Sequence, residues 1–158
     1  ISSRFMELNE EGSAAILIVD EAQLIPGKQT FDELRLLSNF QLDDANLISI
    51  ILIGQPELKE RLKHPSYAAL RQRIGMWYHL KSLNEKETVN YIKHRIKIAG
   101  GDPSIFTLEA MKMIFEKTRG VPRLINSVAT NALLSDFEKE EKPITVETVK
   151  EASAEIMF

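Results

Sequence analysis

The stretch ILIVDEAQ, residues 16–23, governs how the rest of this chain is understood. Four aliphatic residues, three of them β-branched, run into two adjacent carboxylates, Asp20 and Glu21. An aliphatic run without polar alternation suits a strand buried on both faces, as in a parallel sheet covered by helices. In open α/β sheets, ligands bind outside the carboxyl ends of the strands. An aspartate placed there can hold Mg²⁺, directly or through water, and the next carboxylate can orient an attacking water. The bland alternative is an Asp-Glu pair that merely opens a surface loop, and a short motif alone does not exclude it.

Further along the chain, residues 49–53 form a second apolar strand. Between the two lies a helix signal. Thr30 is placed as an N-cap with Glu33 three residues on, and Phe31, Leu34, Leu37 and Phe40 fall on one helical face. Strand, helix and strand make a βαβ unit, for which a right-handed crossover is the rule. MWYHL, residues 76–80, reads as a third, shorter strand. Beyond it the pattern is helical only. Asn84 with Glu87 caps a helix bearing Val89, Ile92, Ile96 and Ala99, ended by Gly100-Gly101. Thr107 starts the next, with Leu108, Met111 and Phe115 inward and Gly120 as its stop. A third follows Pro122 with Ile125, Val128, Ala132 and Leu133, and a fourth starts near Thr145. EKEEK, residues 138–142, reads as a solvated helix end and loop. The expected organisation is an α/β part over residues 1–82 and a helical subdomain over residues 83–158.

The totals fit this picture. The chain has 158 residues, 44% apolar and 27% charged, as in ordinary globular proteins. A net charge of −3 argues against a chain attracted to nucleic acid as a whole. With no cysteine, disulfides and thiolate metal sites are excluded. The apolar runs fall far short of the roughly 20 residues of a membrane helix. Ile rather than Met at position 1 leads us to expect a piece of a longer protein.

Other polar residues follow the apolar elements. The second strand ends in IGQPEL, and Gln55 would emerge beside Asp20 if the strands are neighbours. An amide there can hydrogen-bond a γ-phosphate or its water, though a turn residue before Pro56 is the plainer reading. Arg71 and Arg73 lie in ALRQRIG. From residue 57 to 81, Lys59, Arg61, Lys63, Arg71, Arg73 and Lys81 stand against Glu57 and Glu60, six minus two, or +4. This is either a solvated helix or a basic edge offered to an anionic site on another subunit, where an arginine can be worth ~10³–10⁵ in rate. In RGVPRLIN, Pro122 suits the first turn of a helix and Arg123 shares that turn. A cation is unfavourable there, and a bound phosphate would compensate it.

In this order the motifs resemble the AAA+ ATPases, and specifically the ExeA/GspA-like branch of general secretion pathway protein A. LIVDEAQ looks like its Walker B strand, ELRLLSNFQ and IILIGQPEL like the following helix and the sensor-1 strand, LRQRI like the arginine-finger segment, and GVPRLIN like the sensor-2 motif. The resemblance implies a truncated parallel P-loop NTPase sheet of about three strands, followed by an all-α four-helix lid. It implies ATP or ADP with Mg²⁺ as ligands. Asp20 becomes the Mg²⁺-associated carboxylate, Glu21 the water-polarising base and Gln55 sensor 1. Arg73, or alternatively Arg71, becomes the finger, and Arg123 the sensor-2 arginine that reaches the γ-phosphate from the lid. It further implies a homo-oligomeric ring and a protein partner in secretion or envelope machinery. The location implied is cytoplasmic, at the cytoplasmic face of the inner membrane.

One part of the family pattern is missing. A P-loop, G-x-x-x-x-G-K-[ST], should precede the Walker B strand. Only Gly12 precedes Asp20, and the sole Gly-Lys, Gly27-Lys28, is followed by Gln29. Truncation is the simplest account, with residues 1–11 as the end of a helix begun upstream. The family's first strands would be lost with the loop. Residues 76–80 would then close up against the other strands, leave an open edge, or pair with another chain, so oligomerisation or swapping is expected. The chain alone should be inactive. A transposition-type, DNA-associated AAA+ ATPase and a non-hydrolysing scaffold module are the alternatives. DEAQ also resembles a helicase box, but no Ser-Ala-Thr motif follows it.

Overall fold

A computed structural model describes residues 7–8, 10–39, 41–42, 45–139 and 143–156. The chain divides into two compact units, Ile1–Tyr78 and His79–Phe158.

The first unit is built on two parallel strands, β1 (Ala15–Val19) and a later strand, Ile48–Leu52. Between them come helix α1 (Gly27–Leu37) and a small antiparallel pair, β2 (Gln41–Leu42) and β3 (Ala45–Asn46). The later strand is therefore β4. Two short helices follow, α2 (Pro56–Lys63) and α3 (Ala68–Arg71). The register sets Leu17 against Ile50 and Val19 against Leu52. Val19 and Leu52 pack on a core of Ala22, Phe31, Leu58, Leu62, Tyr67 and Leu70.

The opposite face of the sheet departs from expectation. Ile16 is 61% exposed, Ile18 59%, Ile51 45% and Ile53 45%. Strand periodicity puts these side chains on one face, and among the described residues helices cover only the other. Residues 76–80 are also not a strand. They run as coil, with Met76, Trp77, Tyr78 and Leu80 exposed. A strand needs a ladder partner, and the parallel sheet among the described residues is β1 with β4 alone.

Thr30 is not a cap. Helix α1 begins three residues earlier, at Gly27, with Pro26 in the cap position. Its entry is fixed from outside the helix: Arg61 Nη2 on α2 donates to the Gly27 carbonyl at 3.1 Å. Phe31 is fully buried, while Phe40 lies outside the described residues. At the N-terminus the described residues 7, 8 and 10 are helical, and Gly12 at φ 71 follows them.

The second unit is helical: α4 (Glu85–Ile98), α5 (Leu108–Thr118), α6 (Pro122–Lys139) and α7 (Val146–Ile156). Asn84 and Glu87 form the expected capping box. Thr107 caps α5 through the Ala110 N–H at 3.1 Å. The core joins Val89 and Ile92 to Met111, Ile114, Ile125, Val128, Ala132, Ile144 and Val149. Leu108, expected inward, is exposed. The buried stripe of α5 runs instead through Ala110, Met111, Ile114 and Thr118, because the first helical residue sits at the rim. Helix α6 reaches Lys139, and residues 140–142 of the EKEEK run lie outside the described residues.

Candidate functional site

Parallel pairing brings the ends of β1 and β4 together. The Ile53 N–H donates to the Val19 carbonyl at 2.9 Å, and the Ala22 N–H to the Ile53 carbonyl at 2.8 Å. Between these bonds the chain turns sharply at Glu21, which adopts a left-handed conformation (φ 50, ψ 37). For a residue with a side chain that costs about 1–2 kcal/mol. Local bonds hold it: Asp20 Oδ1 accepts the Glu21 N–H at 2.8 Å, and the Glu21 carbonyl accepts the Leu24 N–H at 2.8 Å. The buried Ala22 anchors the turn. Backbone strain of this kind gathers where a side chain must be aimed. Here it projects Glu21 at the strand tip, with both carboxylates exposed.

Gln55 precedes α2 in extended conformation and supplies no side-chain cap to it, so its amide is not consumed by the helix. Its backbone N–H donates to Gln23 Oε1 at 3.1 Å. Gln23 in turn donates from Nε2 to Glu21 Oε2. Asp20, Glu21, Gln23 and Gln55 thus share one end of the sheet. Gln23 is the residue that sequence reasoning passed over. Its signal was its place in DEAQ, two residues past the second carboxylate, but a role for it needs the β4 partner.

The two candidate finger arginines differ. Arg71 Nη1 donates to the carbonyls of Leu62 at 2.8 Å and Lys63 at 2.7 Å, closing the C-terminus of α2. Arg73 is exposed, and among the described residues its guanidinium has no hydrogen bond or ion pair. Arg123 lies in the other unit, in the first turn of α6, exposed and with no side-chain partner among the described residues. Gly120 fixes that turn. It stands at φ 74, and its carbonyl accepts the Leu83 N–H at 2.9 Å. A Cβ on it would lie 1.8 Å from the Leu83 carbonyl oxygen.

No group of three His, Asp or Glu among the described residues could cage a metal ion. No helix among them is long and apolar enough to cross a membrane.

The family model described as "AAA domain" matches residues 2–62. General secretion pathway protein A of Aeromonas hydrophila is 36% identical over 146 residues, covering 92% of this chain and 26% of that protein. The uncharacterized HTH-type transcriptional regulator MJ0774 of Methanocaldococcus jannaschii is 25% identical over 150 residues, covering 92% of this chain and 36% of its own length. The chain therefore spans about a quarter to a third of these relatives. Among solved structures, one point mutant of Thermotoga maritima RuvB superposes with a TM-score of 0.67 at 17% identity, over 98% of this chain and 49% of that one. A second point mutant of the same protein gives 0.66 at 20%, over 89% of this chain and 44% of that one. These two show the fold: a truncated α/β P-loop NTPase. Apart from the fold, the 36% identity to general secretion pathway protein A along 92% of this chain, together with the AAA domain match over residues 2–62, supports a general secretion pathway protein A-like AAA ATPase family for this chain.

Proposed function

We propose that this chain is the carboxylate-bearing part, with the helical lid, of a ring-forming ATPase. Intact, it couples ATP hydrolysis to remodelling of a protein partner in envelope or secretion machinery, at the cytoplasmic face of the inner membrane. The observation that supports this best is the meeting of Asp20, Glu21 and Gln55 at the carboxyl ends of two neighbouring parallel strands.

Each residue has a role in that reading. Glu21 orients the attacking water and accepts its proton. Gln55 offers its amide to the γ-phosphate or to that water. Arg73, whose guanidinium is uncommitted among the described residues, is the finger presented to an adjoining protomer, since Arg71 is held by α2. Arg123 is the lid arginine for the γ-phosphate. The donor chemistry fits Mg²⁺: one carboxylate, with water and phosphate oxygens completing the shell, is how that ion is usually held. Asp20 is that carboxylate, with its Oδ1 engaged by the Glu21 N–H. When bound, Mg²⁺ neutralises charge developing on the phosphate oxygens.

The DNA-associated alternative draws on the basic segment and on the regulator's name. Three of the six cations are engaged internally, however: Lys63 pairs with Glu60 at 2.7 Å, and Arg61 and Arg71 both donate to backbone carbonyls.

Steady-state ATP turnover tests the proposal. The intact protein should hydrolyse ATP, Glu21→Gln should lower its kcat by about 10²–10⁴-fold, and the present chain alone should be inactive for want of a phosphate-gripping loop. Turnover by the chain alone at the intact rate, lost on Glu21→Gln, would overturn the account of the missing loop.

A further inference from the structure

The side chain of Gln23 bonds the Glu21 carboxylate and the backbone of Gln55, the two residues whose side chains the proposed chemistry needs in fixed relation. Its Nε2 donates to Glu21 Oε2, and its Oε1 accepts the Gln55 N–H at 3.1 Å. The orientation of the amide is dictated. Reversed, it would set an oxygen against the carboxylate and an NH₂ against an N–H. The backbone of Gln23 is held as well: Arg61 Nη1 donates to its carbonyl at 3.2 Å.

The segment that follows β4 is shaped around this amide. A Cβ at Gly54 would lie 2.7 Å from Gln23 Oε1 and 2.9 Å from Leu58 Cδ2. Gly54 has no left-handed φ, so the glycine serves space and not backbone freedom. Glu21, in contrast, has a strained backbone and an exposed side chain. Among the described residues, the bond from Gln23 is the one hydrogen bond that aims its carboxylate.

We infer that Gln23 is a positioning residue: it locks the Glu21 carboxylate to the tip of β4, so that a displacement of Gln55 is passed to the base through one amide. This rests on the hydrolysis reading above and adds a coupling between its γ-phosphate contact and its base. A glutamine that only stitched the loop closed would set stability and nothing else.

The experiment uses the intact ATPase, with kcat and KM measured beside the affinity for a non-hydrolysable ATP analogue and the thermal midpoint. Gln23→Leu keeps the bulk and removes both bonds. It should lower kcat by about 10–100-fold, the usual size of a supporting-shell loss, with KM and analogue affinity held within a few-fold. Gln23→His, whose neutral ring has one donor and one acceptor, should recover a large part of kcat. Wild-type kcat in Gln23→Leu, a change confined to KM, or no recovery in Gln23→His overturns the inference. Should Gln23→Leu fail to fold, Gln23→Glu decides. It keeps the acceptor for Gln55 and loses the donor to Glu21, so wild-type kcat there also overturns it. The two proposals fail separately. Turnover that survives Glu21→Gln sinks the hydrolysis reading and this one with it, whereas loss in Glu21→Gln beside normal Gln23 variants sinks only the coupling.

Discussion

Single atoms decide two features of the helical unit. Gly120 was legible in the sequence as a helix stop, and it is one: Arg119 and Gly120 both take left-handed conformations after α5. What the sequence could not show is the Leu83 carbonyl, which leaves no room for a Cβ. Gly120→Ala therefore meets conformational strain and a backbone clash together. It should destabilise the chain by at least about 2 kcal/mol, read by urea unfolding. Thr88 shows the opposite case. It is 0% exposed, and among the described residues its Oγ1 has no hydrogen-bond partner. Burying an unpaired hydroxyl costs about 1–3 kcal/mol. Thr88→Val, which replaces the hydroxyl with a methyl group, should leave stability unchanged or raise it by up to about 1 kcal/mol. A clear loss in the urea midpoint would point to a partner such as bound water.

Among the elements, Arg61 joins α2 to the loop that carries the carboxylates. Its Nη1 donates to the carbonyls of Gln23 and Ile25, and its Nη2 to that of Gly27. Its Nε donates to Tyr67 Oη at 3.1 Å, and its guanidinium lies 4.9 Å from the centre of the Phe31 ring. A count of charges puts Arg61 in a basic segment. The fold spends it on backbone carbonyls, where the wide planar fork suits an arginine and no lysine could span the set. Arg61→Met should cost at least about 2 kcal/mol, since charge-assisted bonds contribute about 1.5–3 kcal/mol each. Arg61→Lys should recover only part of the lost thermal midpoint. The same contacts explain the misplaced start of α1. The Thr30-Glu33 spacing suits a capping box, but the carbonyl grip of Arg61 lets the helix open earlier, at Gly27.

For the molecule as a whole, the informative surface is the open face of β1 and β4. Ile16, Ile18, Ile51 and Ile53 form an apolar row on a two-stranded sheet, and among the described residues both strands have unpaired edges. Apolar faces and open edges of this kind promote association. This chain alone should self-associate at micromolar concentration. Ile18→Lys together with Ile51→Lys should shift it toward monomer in sedimentation velocity and lower its binding of an apolar dye. Both side chains already face solvent, so the change in unfolding free energy should stay within about 0.5 kcal/mol for each. Unchanged association would mean that contact is made elsewhere.

Signals local in the chain were enough for the two central strands and the helix between them, the four helices of the second unit with their caps at Asn84 and Thr107, and the carboxylate pair at a strand end. Apolar period, capping side chains and glycine stops each act over a few residues, so they can be read without the fold. Everything that depends on distant neighbours had to wait for the three-dimensional arrangement. The third strand dissolved because a ladder needs a neighbour, which no run of β-formers supplies. Arg71 became a helix cap because a cation's role depends on which carbonyls surround it. Gln23 acquired its place because its two partners lie two and thirty-two residues away, and only parallel pairing of β1 with β4 brings both within reach of one amide.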